Sequence, residues 1–97
     1  MHVGICQLTF RLPGNGSLKD KRQVSRSLIS RLQTRFHLAA AEVGGIDQHQ
    51  SLVIGLACVS NQARHADEML DAAVRFAQNH HIDADLINVQ REIIDGE

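Results

Sequence analysis

The most apolar stretch of the chain runs from Ser51 to Ser60, and it limits the folds that this sequence can adopt. It contains eight consecutive apolar or glycine residues, Leu52-Val53-Ile54-Gly55-Leu56-Ala57-Cys58-Val59. A segment this short with apolar side chains at both parities is typical of a central strand whose two faces are both covered. The fold must therefore supply neighbouring strands to pair with it and a layer that packs against the sheet.

A first strand is predicted from His2 to Leu12. Its second half alternates in polarity, and the apolar face consists of Cys6, Leu8, Phe10 and Leu12. Pro13-Gly14-Asn15-Gly16 then ends the strand, because proline and glycine interrupt regular structure.

A helix is predicted after Ser17, which can act as its N-cap with Asp20 three positions later, an acidic variant of the capping box. One side of this helix is an apolar stripe with a spacing of four, formed by Val24, Leu28, Leu32 and Phe36. At 100° per residue the opposite side carries Lys19, Arg22 and Arg26. The helix should therefore be apolar on one side and basic on the other.

The remaining elements complete an alternating order of strands and helices. A weaker, alanine-rich strand is predicted at His37 to Val43, a second helix at about Ala63 to Asn79, and a last strand at about Leu86 to Ile94. In the last strand the predicted apolar parity consists of Ile87, Val89, Arg91 and Ile93.

The order β-α-β-β-α-β predicts one α+β domain over residues 1–97. We expect the ferredoxin-like arrangement, a four-stranded antiparallel sheet with two helices on one face. The other face stays open and should be apolar near Val3 and Ile5 and along one parity of the third strand. Because an uncovered apolar patch usually marks an interface, we expect a homodimer formed through the open sheet.

The charge is distributed asymmetrically, although the net charge is only −1. Between Arg11 and Arg35 seven bases accompany one acid, whereas from Gln62 onward three bases accompany eight acids. This pattern favours a basic face for an anionic partner. The alternative is that the two halves neutralise each other in the folded protein.

Composition and length narrow the class of protein further. Ninety-seven residues are too few for separate cofactor and substrate domains. No apolar run approaches the roughly 20 residues that cross a bilayer, and no secretory leader is recognised at the start, so we expect a cytoplasmic protein with no membrane contact. Cys6 and Cys58 lie in apolar, strand-like segments and are expected to be buried thiols.

The sequence contains no catalytic or metal-binding signature. Its six histidines do not form a recognisable set of nucleophile, base and orienting group, so the chain is predicted not to be an enzyme and to need no cofactor. His80, His81, Asp83 and Asp85 have the side-chain types of metal ligands, but their spacing favours a solvated turn. Gly14-Asn15-Gly16 precedes a helix, yet it lacks both common phosphate-loop patterns.

Nucleic-acid binding has the stronger support among the binding functions. The predicted anion-binding set is Arg11, Lys19, Lys21, Arg22 and Arg26. The chain has no Trp or Tyr, and its three Phe residues all have core spacing, so no aromatic side chain is expected to stack on bases. RNA would then be recognised by its backbone and shape.

Three motifs in this order resemble the bacterial YlxP-like family, a domain of unknown function. They are Ser17-Leu18-Lys19-Asp20-Lys21-Arg22, Ala41-Glu42-Val43-Gly44 and Ser60-Asn61-Gln62-Ala63-Arg64-His65. The resemblance extends over essentially the whole chain, with Asp20 where the family usually has Glu and Gln62 where it usually has an acid. It implies a ferredoxin-like fold and, since members are often encoded beside translation and ribosome-maturation genes, an RNA-linked role.

The resemblance also implies functional polar positions. Besides the basic residues already named, these are Glu42, Asn61, Arg64 and His65. A structural alternative exists for each, because Glu42 could pair with a base, Asn61 could cap a helix, and Arg64 and His65 could cover its first turn.

The leading hypothesis is a binding module that docks structured RNA or a ribosomal subunit through the basic first helix. One alternative is a protein-interaction or regulatory dimer that does not bind nucleic acid. A third is a small enzyme that uses His65 as acid or base, beside Asn61 and Arg64.

Overall fold

The computed structural model describes residues 1–14, 16–79 and 83–96. It has four strands and two helices in the order predicted from the sequence. They are β1 (His2–Arg11), α1 (Leu18–Phe36), β2 (Ala39–Gly44), β3 (Ser51–Ser60), α2 (Ala63–Asn79) and β4 (Asp85–Asp95).

The strands form one sheet in the order β2-β3-β1-β4, with every neighbouring pair antiparallel. The two strands in the middle, β1 and β3, pair over their full lengths, from His2 opposite Ser60 to Arg11 opposite Ser51. Both helices pack on one face of the sheet. The predicted ferredoxin-like α+β fold is therefore confirmed.

The core lies between this face and the helices. The alternation predicted in β1 places Cys6, Leu8, Phe10 and the following Leu12 in it, and Leu28, Leu32 and Leu70 cover them from the helices. Gly4 lies where α2 packs closely on the sheet, because an added Cβ would be 3.0 Å from both Cys58 Sγ and Leu70 Cδ1.

The two ends of α1 explain why the helix starts as predicted and why strand β2 begins two residues after its predicted start at His37. The backbone N–H of Asp20 donates to Ser17 Oγ at 3.1 Å, as the capping pattern predicts. His37, predicted as the first residue of a strand, instead has a left-handed backbone (φ 54°) and closes the helix with a hydrogen bond to Gln33 O. Strand β2 therefore begins at Ala39.

The predicted parity of β4 is wrong at its beginning. The β1–β4 register shifts between Thr9 and Phe10, so that Phe10 is opposite Leu86. Leu86 consequently packs against the core, whereas Ile87 is exposed. A bulge adds one residue to one strand and so reverses the face to which the side chains before it point.

The second face of β3 is not covered in the way its apolar sequence predicts. Leu52, Ile54, Leu56 and Cys58 are buried against the helices, while Val59, at the other parity, is exposed. Neither of the described helices has the length and apolarity required to span a membrane.

Candidate nucleic-acid interface

Three bases lie along the outer side of α1, and we call Lys19, Arg22 and Arg26 the basic flank. All three are exposed, and their spacing of three and four residues places them on one side of the helix over about 10 Å. Within the described residues none of them has a carboxylate within ion-pair distance. The flank is therefore a strip of positive charge that the fold leaves open to solvent.

Three acids of α2, Asp67, Glu68 and Asp71, pair with arginines from the same half of the chain. Along α2, Arg64 Nε lies 3.1 Å from Glu68 Oε1 and Arg75 Nη2 lies 3.4 Å from Asp71 Oδ2. Arg91 of β4 lies 3.7 Å from both Asp71 and Asp67. In the described part of the chain, ion pairs therefore do not join the acids of α2 to the basic flank of α1.

Lys21 differs from the other members of the predicted anion-binding set because it is only 1% exposed. Its ammonium lies 2.9 Å from Glu42 Oε2 and donates to the carbonyl oxygens of Gly45 and Gln48. Its position on α1 faces β2 and the β2–β3 loop rather than solvent. The structure thus separates Lys21 from the basic flank, although the sequence placed it among the same bases.

Glu42 is the partner of this lysine. Its Oε1 accepts a hydrogen bond from Ser25 Oγ at 3.3 Å, and its Oε2 is buried beside the Lys21 ammonium. Oε2 has no aligned hydrogen bond within the described residues, so the charge of Lys21 stabilises it. Glu42 therefore pairs with a base, Lys21, as the structural alternative for Glu42 predicts.

Arg11 is exposed at the end of β1, on the open side of the sheet. It borders a cleft of about 570 Å³ whose lining residues include Gln48, His49 and Ile87. Only a short connection separates Arg11 from the start of α1, so Arg11 and Lys19 belong to the same end of the molecule.

Asn61, Arg64 and His65 lie at the opposite end of the sheet, because they follow Ser60, which pairs with His2. All three are exposed, and Arg64 is paired with Glu68. The N–H of Gln62 donates to Ser60 Oγ at 3.1 Å, so Ser60 supports the turn into α2. The structure therefore does not bring these residues together with Glu42 or the basic flank.

Arg35, which the predicted set did not include, lies over aromatic rings. Its guanidinium carbon is 5.1 Å from the centroid of Phe76 and 6.0 Å from that of Phe36. These two rings contact each other edge to face, with centroids 5.5 Å apart. A cation–π contact of this kind holds the end of α1 against α2 and could not be derived from spacing along one helix.

Both cysteines are unpaired and buried, as expected. Burial raises the pKa of the Cys6 thiol, opposed by the charge of Arg91, and burial likewise raises the pKa of Cys58. Among the described residues no group of three or more His, Cys, Asp or Glu side chains could hold a metal ion. The alternative metal set cannot be placed, since His80 and His81 lie outside the described residues.

These features define a class of protein, a small ferredoxin-like α+β domain with a basic flank on its first helix and an open sheet. The model of the family described as "Protein of unknown function (DUF503)" matches residues 3–91, and the chain belongs to that family. It is 33% identical over 74 residues to the uncharacterized protein YlxP of Bacillus subtilis (strain 168), covering 76% of this chain and 80% of that protein. The resemblance to the YlxP-like family is thus confirmed.

Two solved structures with similar folds are of SnoaB, a cofactor-independent oxygenase from Streptomyces nogalater, one of them a point mutant. They cover 98% and 99% of this chain and 92% and 93% of theirs, at 13% and 15% identity and TM-scores of 0.45 and 0.46. The prediction that the chain is not an enzyme is wrong, because structures of an oxygenase are among those with a similar fold. A likeness at this level assigns no activity to the chain.

Proposed function

We propose that this domain docks structured RNA, as presented by a ribosomal subunit, through the basic flank of α1. The observation that carries the proposal is that Lys19, Arg22 and Arg26 are exposed bases without an acidic partner in the described structure. Arg11 lies at the same end of the molecule but on the open side of the sheet, so it is not part of the basic flank.

The spacing of the flank suits a phosphate backbone. Three side chains spread over about 10 Å of helix can each reach a separate phosphate of one RNA strand or groove. Each neutralised phosphate releases condensed counterions, so binding should weaken steeply as salt is added. For three contacts we expect the logarithm of the binding constant to fall with the logarithm of salt concentration with a slope of about −2 to −3.

The aromatic residues support recognition of the backbone over recognition of bases. Phe10 is fully buried, and Phe36 and Phe76 contact each other beneath Arg35. Sequence-specific readers of single-stranded RNA stack bases on exposed aromatic rings. The contact proposed here therefore depends on the shape and charge of folded RNA.

The test is co-sedimentation of the full chain with ribosomal subunits and with bulk RNA across a salt series. The test variant is Arg22→Glu/Arg26→Glu. The matched control is Arg64→Glu/Arg75→Glu, which changes the net charge by the same amount at exposed positions of α2. Circular dichroism checks that each variant is folded.

We expect the wild type and the α2 control to co-sediment with subunits at low salt, and the α1 variant to lose at least tenfold in affinity. Stronger binding to subunits than to bulk RNA would indicate a structured target. Equal binding by the two variants would contradict a role for the basic flank. If no RNA is bound at low salt, the proposal fails and the protein-interaction alternative takes its place.

A further inference from the structure

The open face of the sheet is divided into an apolar part and a polar part. Five exposed or half-exposed apolar side chains lie together on this face, on the first half of β1, on β2, on β3 and at the end of β4. We call them the apolar half: Val3, Ile5, Val43, Val59 and Ile94. The polar part lies along the rest of β1 and β4, where Gln7, Thr9, Arg11, Asn88, Gln90 and Glu92 share this face. Of the charged side chains named here, Arg11 lies at the end of β1 and Glu92 lies on the edge strand β4, directly opposite Ile5.

A recess of about 670 Å³ crosses the face from β2 to β4. On the adjacent strands β2 and β3 its floor is made of small residues, Ala39, Ala41, Gly55 and Ala57, and on β1 and β4 its lining includes Ile5, Gln7, Gln90 and Glu92. Val43 leans over Gly55 so closely that a Cβ there would lie 2.9 Å from Val43 Cγ1. The floor is therefore low because its residues are small, and it is open on the solvent side.

A ridge of larger side chains stands beside this recess at matching levels of the sheet. Ile5 on β1 is directly opposite Ala57 on β3, and Val3 is directly opposite Val59. A surface that carries a projection and a recess at paired positions can interlock with itself when a two-fold axis exchanges the two positions. Such an axis runs along the strands, between β1 and β3.

We propose that the open face is a homodimer interface, in which β1 and β3 of a second copy of this chain pack on β3 and β1 of the first. Ile5 of each copy then enters the recess above Ala57 of the other. The axis also places Val3 of one copy against Val59 of the other, so the apolar side chains of β1 and β3 cover each other. Gln90 and Glu92 of β4 then lie over the edge strand β2 of the other copy, at the rim of the interface. Sheets packed in this way lie about 10 Å apart.

The size of the face fits this occupant. With strands about 4.8 Å apart and about 3.3 Å per residue, the four strands offer roughly 600 Å² per copy. Two copies would bury about 1,200 Å² in total, which is at the lower end of specific, stable interfaces. A small apolar ligand would fill only the recess and would leave Val3 and Val59, which do not line it, in water.

The inference is independent of the proposed RNA contact. The basic flank lies on α1, and both helices are on the opposite side of the sheet from the interface. A dimer would therefore expose two basic flanks on its outer surfaces, and loss of either property would leave the other measurable.

The test is sedimentation equilibrium of the full chain over a range of concentrations that extends to tens of micromolar. The test variants are Val59→Lys and Ile5→Lys, both at exposed positions of the apolar half. The matched control is Ile46→Lys in the β2–β3 loop, because Ile46 is 60% exposed and Val59 is 64% exposed. Circular dichroism and thermal unfolding check that each variant is folded.

We expect the wild type and Ile46→Lys to have twice the monomer mass of 10.7 kDa. We expect each apolar-half variant to raise the dimer dissociation constant by about 100-fold or more, because each substitution places two ammonium groups, one per copy, in the centre of a symmetric interface. A wild type that stays monomeric throughout would overturn the proposal. Folded Val59→Lys and Ile5→Lys proteins that both remain dimeric would also overturn it, since the interface would then lie elsewhere.

Discussion

The ammonium of Lys21 lies 2.9 Å from Oε2 of Glu42, in a part of the molecule where Lys21 is almost fully enclosed. The same ammonium donates to the carbonyls of Gly45 and Gln48, so one side chain joins α1 to β2 and to the β2–β3 loop. Lys21 and Glu42 belong to two of the motifs through which the chain resembles its family. A structural role accounts for both residues without a ligand.

Removing one partner of this pair should be costly. We expect Lys21→Ala to lower the free energy of unfolding by about 2–4 kcal/mol, because it leaves the mostly buried Glu42 carboxylate and the loop carbonyls without their cation. Urea unfolding measures the change. Lys19→Ala, at an exposed lysine two positions earlier, is the control and should change stability by less than about 0.5 kcal/mol. Equal effects of the two variants would refute the structural role of Lys21.

Gly4 should not tolerate a side chain. We expect Gly4→Ala to destabilise the protein by about 1–3 kcal/mol, because the added Cβ would lie 3.0 Å from Cys58 Sγ and Leu70 Cδ1 and would push α2 away from the sheet. Gly16→Ala provides the control, since no atom lies within 4 Å of a Cβ at that position. The comparison is between the urea-unfolding midpoints of the two variants. A Gly4→Ala protein with unchanged stability would contradict the close approach of α2 to Gly4.

The two buried thiols should make the protein less stable in alkali. Burial raises the pKa of Cys6 and Cys58 above their ordinary value of 9.0, so the folded chain keeps these protons where the unfolded chain loses them. The contribution of the two protonated thiols to the free energy of unfolding is complete below about pH 9 and falls as the pH rises above it. Urea unfolding at pH 8 and pH 10 should show the loss in the wild type.

The control for this pH dependence is Cys6→Ala/Cys58→Ala, which should be less stable at pH 8 but should lose less on going to pH 10. The native thiols should also react slowly with an alkylating reagent and rapidly once unfolded. An identical pH dependence in both proteins would contradict the assignment to the thiols.

The cap of α1 should contribute measurably to stability. We expect Ser17→Ala to cost about 1 kcal/mol, because the N–H of Asp20 loses its acceptor at the start of a 19-residue helix. Ser17→Asn should restore most of the loss, since asparagine also accepts at an N-cap. Thermal unfolding of the two variants decides the point, and equal midpoints for alanine and asparagine would show that the hydroxyl does not act as a cap.

Much of the fold can be read from local patterns. The bounds of β3 and α2 are found where apolar periodicity predicts them, and Ser17 caps α1 as its spacing from Asp20 indicates. Residues at the element ends differ for reasons outside the local pattern. The beginning of β2 depends on the left-handed backbone of His37, and the parity of Leu86 and Ile87 depends on a register shift against β1.

The sequence by itself determined the order of strands and helices, the apolar faces of β1 and α1 and the concentration of bases on α1, because these properties depend on the spacing of residues along one chain segment. Only the tertiary structure decided which bases remain on the surface. Lys21 and Arg22 are neighbours in the chain, but the packing of α1 beside β2 encloses the first and leaves the second exposed. Whether a charge is available to a partner depends on contacts between distant segments, which local spacing does not specify.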